Sequence, residues 1–120
     1  MLETCPVLYW VSINVQLVLN LEGEVYIKIR SWKDDLVVAV CDKEILGKTF
    51  REGELRIHVK EEFYGGELVS VKDAIEHIRK ATIANLVGSR IISEAIEEGL
   101  LHKDSVIYIS GVPHVQIVKV

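Results

Sequence analysis

The chain has 120 residues, 49% of them apolar and 27% charged, with 14 Lys and Arg against 18 Asp and Glu for a formal charge of −4. This length suits one globular domain with a core large enough to fold without staples. The balance excludes a disordered chain and a protein that coats nucleic acid through bulk positive charge, while leaving room for a local basic patch. The two cysteines, Cys5 and Cys41, are too few and too far apart for a zinc site or a disulfide framework, which points to the reducing cytoplasm.

Residues 1–24 carry Glu3, Glu22 and Glu24 but no Lys or Arg, and every odd position from Val7 to Leu21 is apolar. That alternation is a strand period. Ser12, Asn14, Gln16 and Asn20 interrupt the stretch, so it is a poor membrane span, and its start lacks the basic residues of a signal peptide. No membrane association is expected. The segment reads as an N-terminal extension: an added strand, a partner-binding edge, or a translated leader. In the last case Glu22-Gly23-Glu24 suits purine-rich codons and Val25 a GTG start. The single domain is then residues 25–120, and the extension is expected to add little to its core.

Within 25–120, Val25, Ile27 and Ile29 alternate with Tyr26, Lys28 and Arg30 as a half-buried strand. Lys33-Asp34-Asp35 reads as a turn into an apolar central strand, Leu36 to Cys41, and the two are expected to pair antiparallel. Asp42-Lys43-Glu44 suits the cap of a helical turn ended by Gly47. Leu55, Ile57 and Val59 form a third strand, and Gly65-Gly66 a break where the chain can take positive φ. Ser70-x-x-Asp73 marks a helix start, and Val71, Ala74, Ile75 and Ile78 share one helical stripe. Ile83, Leu86, Val87, Ile91, Ala95 and Ile96 continue a stripe to Gly99. This predicts two helices or one kinked helix, broken near Ala81–Thr82, with Thr82 as cap, or at Gly88–Ser89. Val106–Ile109 and His114–Val120 form a closing hairpin around Ser110–Pro113. The order predicts an α+β fold: an antiparallel or mixed sheet of about five strands with two helices packed on one face.

No catalytic cluster, metal site or cofactor motif emerges. His114 and Gln116 lie on one side of a strand beside a turn stiffened by Pro113, and can bind a ligand or serve the turn backbone. Asn85 is an amide in an apolar stretch, where it needs a partner: strand backbone or a ligand. Phe63 and Tyr64 beside two glycines can stack a base or plug the core. Cys41 precedes Asp42 at the end of a buried strand; it is a small hydrophobe unless a base activates it. His58, His77 and His102 read as solvated. Lys43, Lys48, Arg51 and Arg56 can form an RNA-facing patch together with Arg79 and Lys80, but Asp42, Glu44, Glu52 and Glu54 interleave with the first group and suggest a mixed-charge surface. Gly47-Lys48-Thr49 lacks the upstream glycine of a phosphate loop.

Several stretches together resemble the archaeal family known as domain of unknown function 424: Val-Val-Ala-Val-Cys-Asp (37–42), Leu-Gly-Lys-Thr-Phe-Arg-Glu-Gly (46–53), Phe-Tyr-Gly-Gly-Glu (63–67), Ala-Thr-Ile-Ala-Asn-Leu-Val-Gly (81–88) and Gly-Val-Pro-His-Val-Gln-Ile-Val (111–118). The resemblance implies an archaeal cytoplasmic protein beginning near Tyr26, and carries over no catalytic residue.

The expected function is a small non-catalytic binding module attached to RNA or to a translation component. The ligand-binding candidates are His114, Gln116, Asn85, Phe63 and Tyr64. Two alternatives stand beside it: a small-molecule-binding domain or enzyme with a pocket near Cys41, Asn85 and His114, and a structural or oligomeric interaction protein.

Overall fold

The structure is a computed structural model and describes residues 24–119. Apart from Glu24, the residues of the N-terminal extension, and the expectations made for them, lie outside that range. Strand β1 (Val25–Trp32) turns through Lys33-Asp34 into β2 (Asp35–Asp42), and the two pair antiparallel from Val25 opposite Asp42 to Trp32 opposite Asp35. A 3-10 turn (Lys43–Ile45) leads to a hairpin of β3 (Thr49–Glu52) and β4 (Leu55–His58). A short helix α1 (Glu61–Tyr64), strand β5 (Glu67–Val69), helix α2 (Val71–Lys80), strand β6 (Ile83–Val87) and helix α3 (Ser89–Glu97) follow. Strands β7 (Ile107–Ile109) and β8 (Val112–Val118) close the fold as a hairpin.

The main sheet has six strands in the order β5-β1-β2-β6-β8-β7, with β3 and β4 forming a separate two-stranded sheet. Only the β2–β6 pair is parallel, so the main sheet is mixed. One face carries Val25, Ile27, Val38, Val40, Leu86 and Val115, which form a core with Ile75, Ile78, Ile91 and Ile92 of α2 and α3. The α+β reading and the two helices on one face stand. Helix α2 begins where the sequence indicates: the Ser70 hydroxyl accepts a hydrogen bond from Asp73 N at 3.1 Å.

Three short strands depart from the sequence reading. Ile83–Val87, expected to be helical, is a central strand between β2 and β8. Both proposed break points are therefore real, and a strand runs between them. Thr82 is no helix cap; its hydroxyl accepts from Leu36 N at 2.8 Å and donates to Asp35 at 3.0 Å, fixing β6 against β2. The hairpin gains β3 as the partner of β4, and β5 adds an edge strand to β1. Gly65 and Gly66 do not take positive φ. Gly66 serves a close approach, since a Cβ there would lie 2.1 Å from the Ile27 carbonyl oxygen.

Candidate functional site

The face of the main sheet opposite α2 and α3 is built in rows, because residues in register across strands point the same way. The first row runs Tyr26, Cys41, Val87, His114, Ile107. The second is Lys28, Ala39, Asn85, Gln116, and the third Arg30, Val37, Ile83, Val118. Trp32 continues the series at the tip of the β1–β2 hairpin, two residues beyond Arg30.

The first row lies beneath a second core. Cys41 and Val87 pack with Ala39, Val59 and Tyr64, flanked by Phe50, Ile57 and Phe63. Tyr64 is 5% exposed and therefore a plug, with its ring 5.0 Å from Phe63 in an edge-to-face contact. The Arg30 guanidinium lies 4.9 Å from the Phe63 ring centroid. Lys28 Nζ donates to the Glu62 carbonyl at 2.8 Å, and Arg30 donates to the same oxygen. The two cations thus fasten α1 onto the sheet.

The second and third rows are more open. Asn85, Val37 and Ile83 are half-buried, while Gln116 and Val118 are exposed. Asn85 and Gln116 are direct cross-strand neighbours, so two amides stand side by side. Trp32 is 66% exposed, with Lys33 Nζ 5.7 Å from its ring centroid. Neither Trp32 nor its alignment with Lys28 and Arg30 featured in the sequence reading. The odd–even alternation of β1 already holds that signal.

The structure brings Cys41, Asn85 and His114 near one another without making a reactive site. Cys41 is fully buried, and burial, with the Asp42 charge beside it, pushes its thiol up to about 12. A thiol held protonated is no nucleophile. Burial also raises the Tyr64 hydroxyl to about 12 and lowers the His114 imidazole below its ordinary value. His114 sits within β8, between Val87 of β6 and Ile107 of β7. A groove of 460 Å³ lies elsewhere, on the helical side, lined by Glu24, Val71, Ile75, Glu94 and Glu98 among others. Among the described residues no group of His, Cys, Asp and Glu could hold a metal ion, and no helix is long and apolar enough to cross a membrane.

Beside the covered row lies a structural centre. Asp42 is 6% exposed, and its two carboxylate oxygens accept from Arg90 N at 2.8 Å and Ile91 N at 3.0 Å, the first turn of α3. Burial raises its pKa, and these donors pull it back. The Arg90 guanidinium pairs with both oxygens of Glu44 at 2.9 and 3.0 Å and reaches the Glu24 carbonyl at 3.0 Å. This centre joins the ends of β2 and β6.

Comparison with known proteins follows the same segments. The model of the family described as Protein of unknown function (DUF424) matches residues 30–120. The chain belongs to this DUF424 family. It is also similar to a solved structure, an uncharacterized conserved protein from Methanopyrus kandleri, at 29% identity and a TM-score of 0.68. The likeness covers 80% of this chain and 93% of that one. No protein of curated function matches the sequence. The family match extends over the end of β1 from Arg30 and over all later elements; Tyr26 and Lys28 of the rows and Glu24 of the Asp42 centre precede it.

Proposed function

We propose that this DUF424 protein is a non-catalytic cytoplasmic binding module that holds single-stranded RNA, free or within the translation apparatus, on the open rows of its sheet. The observation that carries the reading is the alignment on one face of Lys28, Arg30 and exposed Trp32 from β1 with the neighbouring amides Asn85 and Gln116 from β6 and β8. Each group has a matching part of RNA. A base stacks on an indole or a guanidinium plane and side-chain amides bond to base edges, while Lys28 and Arg30, engaged by α1, lend the platform positive charge. Phe63 contributes from beneath Arg30, and His114 borders the amide row; Tyr64 supports the platform from inside the core. The buried, protonated Cys41 argues against an enzyme centred on that residue.

The test is fluorescence anisotropy of the full chain with a labelled random-sequence single-stranded RNA at low salt. Trp32→Ala should weaken binding about tenfold or more, in line with the value of one stacked base. Asn85→Ala with Gln116→Ala should weaken it further and flatten any base preference. Absence of binding by the unaltered chain, or full binding by both variants, would refute the reading.

A further inference from the structure

The charges around the β3–β4 hairpin alternate in sign along the sequence, but the fold separates them. Asp42 is withdrawn into the cap of α3. Glu44 is held by Arg90. Glu52 accepts a hydrogen bond from Ser110 N at 2.6 Å and is drawn toward the β7–β8 turn. Of the four acids that interleave with the basic residues, only Glu54, in the hairpin turn, is left without such a tie among the described residues.

The basic residues sort the other way. Arg51 stands directly opposite Arg56, and Thr49 directly opposite His58. By strand alternation all four lie on one face of the hairpin, and all four are exposed. The other face carries Phe50 and Ile57, which pack onto the second core, so the two arginines have no inward alternative. Among the described residues neither takes part in an ion pair; those found involve Arg79, Arg90 and His102. Like charges directly across a strand pair oppose folding. A hairpin that keeps two arginines so placed, with Asp42, Glu44 and Glu52 tied elsewhere and only Glu54 left in its turn, is complementary to an anion that both can grip. Guanidinium groups match phosphate oxygens in bidentate geometry, and Thr49 and His58 offer further donors in the next row.

We propose that this outward face of the β3–β4 hairpin is a phosphate-binding surface for the RNA backbone. It rests on the reading of the open rows as an RNA platform and adds the polyanion contact that those rows, with two cations already engaged by α1, lack. The hairpin sits on the same side of the main sheet, over the row that contains Cys41 and Val87.

The experiment measures affinity of the full chain for a labelled oligouridine RNA by anisotropy between about 50 and 200 mM salt. Arg51→Ala with Arg56→Ala should weaken binding about tenfold or more at the low end and reduce the slope of log K against log salt by about 1.4, the share of two phosphates on a single strand. Arg51→Lys with Arg56→Lys should restore most of the slope, while Asn85→Ala with Gln116→Ala should weaken binding and leave the slope unchanged. A double alanine variant with unaltered slope and affinity overturns the hairpin proposal and leaves the platform reading standing. An unaltered chain that does not bind overturns both. A melting curve on each variant separates lost contact from lost fold, and if the alanine pair is unstable the uncharged Arg51→Gln with Arg56→Gln replaces it, with the same loss of slope expected and an unaltered slope overturning the proposal.

Discussion

Asp42 supplies, from the end of β2, the capping carboxylate that Gly88 lacks at the start of α3. Gly88 has φ of 115°, and a Cβ there would lie 2.4 Å from Asp42 Cγ. The missing side chain makes room for the remote one. Gly88→Ala should therefore lower the melting temperature through both strain and overlap, and more than Asp42→Ala, which loses two hydrogen bonds at a cost of about 1–3 kcal/mol. Equal losses in thermal unfolding, or none, would contradict this account.

Cys41 should be inert in the native state. In a Cys5→Ser background it is the chain's remaining thiol. A chromogenic disulfide reagent at pH 8 should react only after denaturant is added, because the group is buried and its pKa is pushed up to about 12. Rapid reaction of the folded protein would reopen a chemical role for this residue.

Acid should weaken the fold through His114. Burial lowers its pKa from the ordinary 6.5, so the folded state prefers neutral imidazole and the unfolded chain takes up the proton first as pH falls. Its contribution is fully present above 6.5 and is lost as pH drops toward the lowered folded value. Urea midpoints measured from pH 8 down to 5 should fall more steeply for the natural chain than for His114→Gln. Parallel curves would show that His114 titrates as it does when unfolded.

The faces of β6 can be told apart by truncation. Leu86 is fully buried against α2 and α3, and Leu86→Ala should cost about 2–5 kcal/mol. Ile83 points to the open rows and is half-buried, so Ile83→Ala should cost clearly less. A helix over this stretch would place both residues on one stripe and penalise both.

Arg56→Glu replaces a like-charged cross-strand pair by an opposite one. It should raise hairpin stability slightly, by about 0.2–1 kcal/mol at most for so exposed a pair, while weakening RNA binding about tenfold or more at low salt. A gain in stability with a loss of binding would set the two effects in opposition at one residue; unchanged binding would count against the phosphate surface.

The sequence was legible where one face of an element meets solvent. Tyr26, Lys28 and Arg30 alternate with apolar residues, and the β1–β2 hairpin follows; Ser70 and Asp73 announce α2. Strand β6 is illegible for the opposite reason. With Ala84 and Leu86 under the helices and Val87 under the second core, it is apolar on both sides, and Ile83, Leu86 and Val87 fall into helical step with Ile91 and Ala95. Three-residue β5 is too short for a period. At the site, Asn85, Gln116 and His114 could be named by residue type, but their grouping depends on β6 being a strand. Asp42 could be placed only as a local cap, because its true partners lie 48 and 49 residues away.

The sheet order has a consequence for how the molecule comes together. Within the main sheet, β5, β1 and β2 from the first part of the chain lie on one side of the β2–β6 boundary, and β6, β8 and β7 from the second part on the other. The main sheet is thus two contiguous halves joined along one parallel seam, riveted at one end by Thr82 and at the other by Asp42 and Arg90, while the β3–β4 hairpin of the first half reaches over the seam to Val87 and Ser110. Each half can close its hairpins locally, whereas the seam needs contacts distant in sequence, so docking of the halves is the step expected to set the folding rate. A chain cut between Lys80 and Thr82 should for the same reason reassemble from its two fragments, with α2 travelling on the first and seating itself as the seam closes.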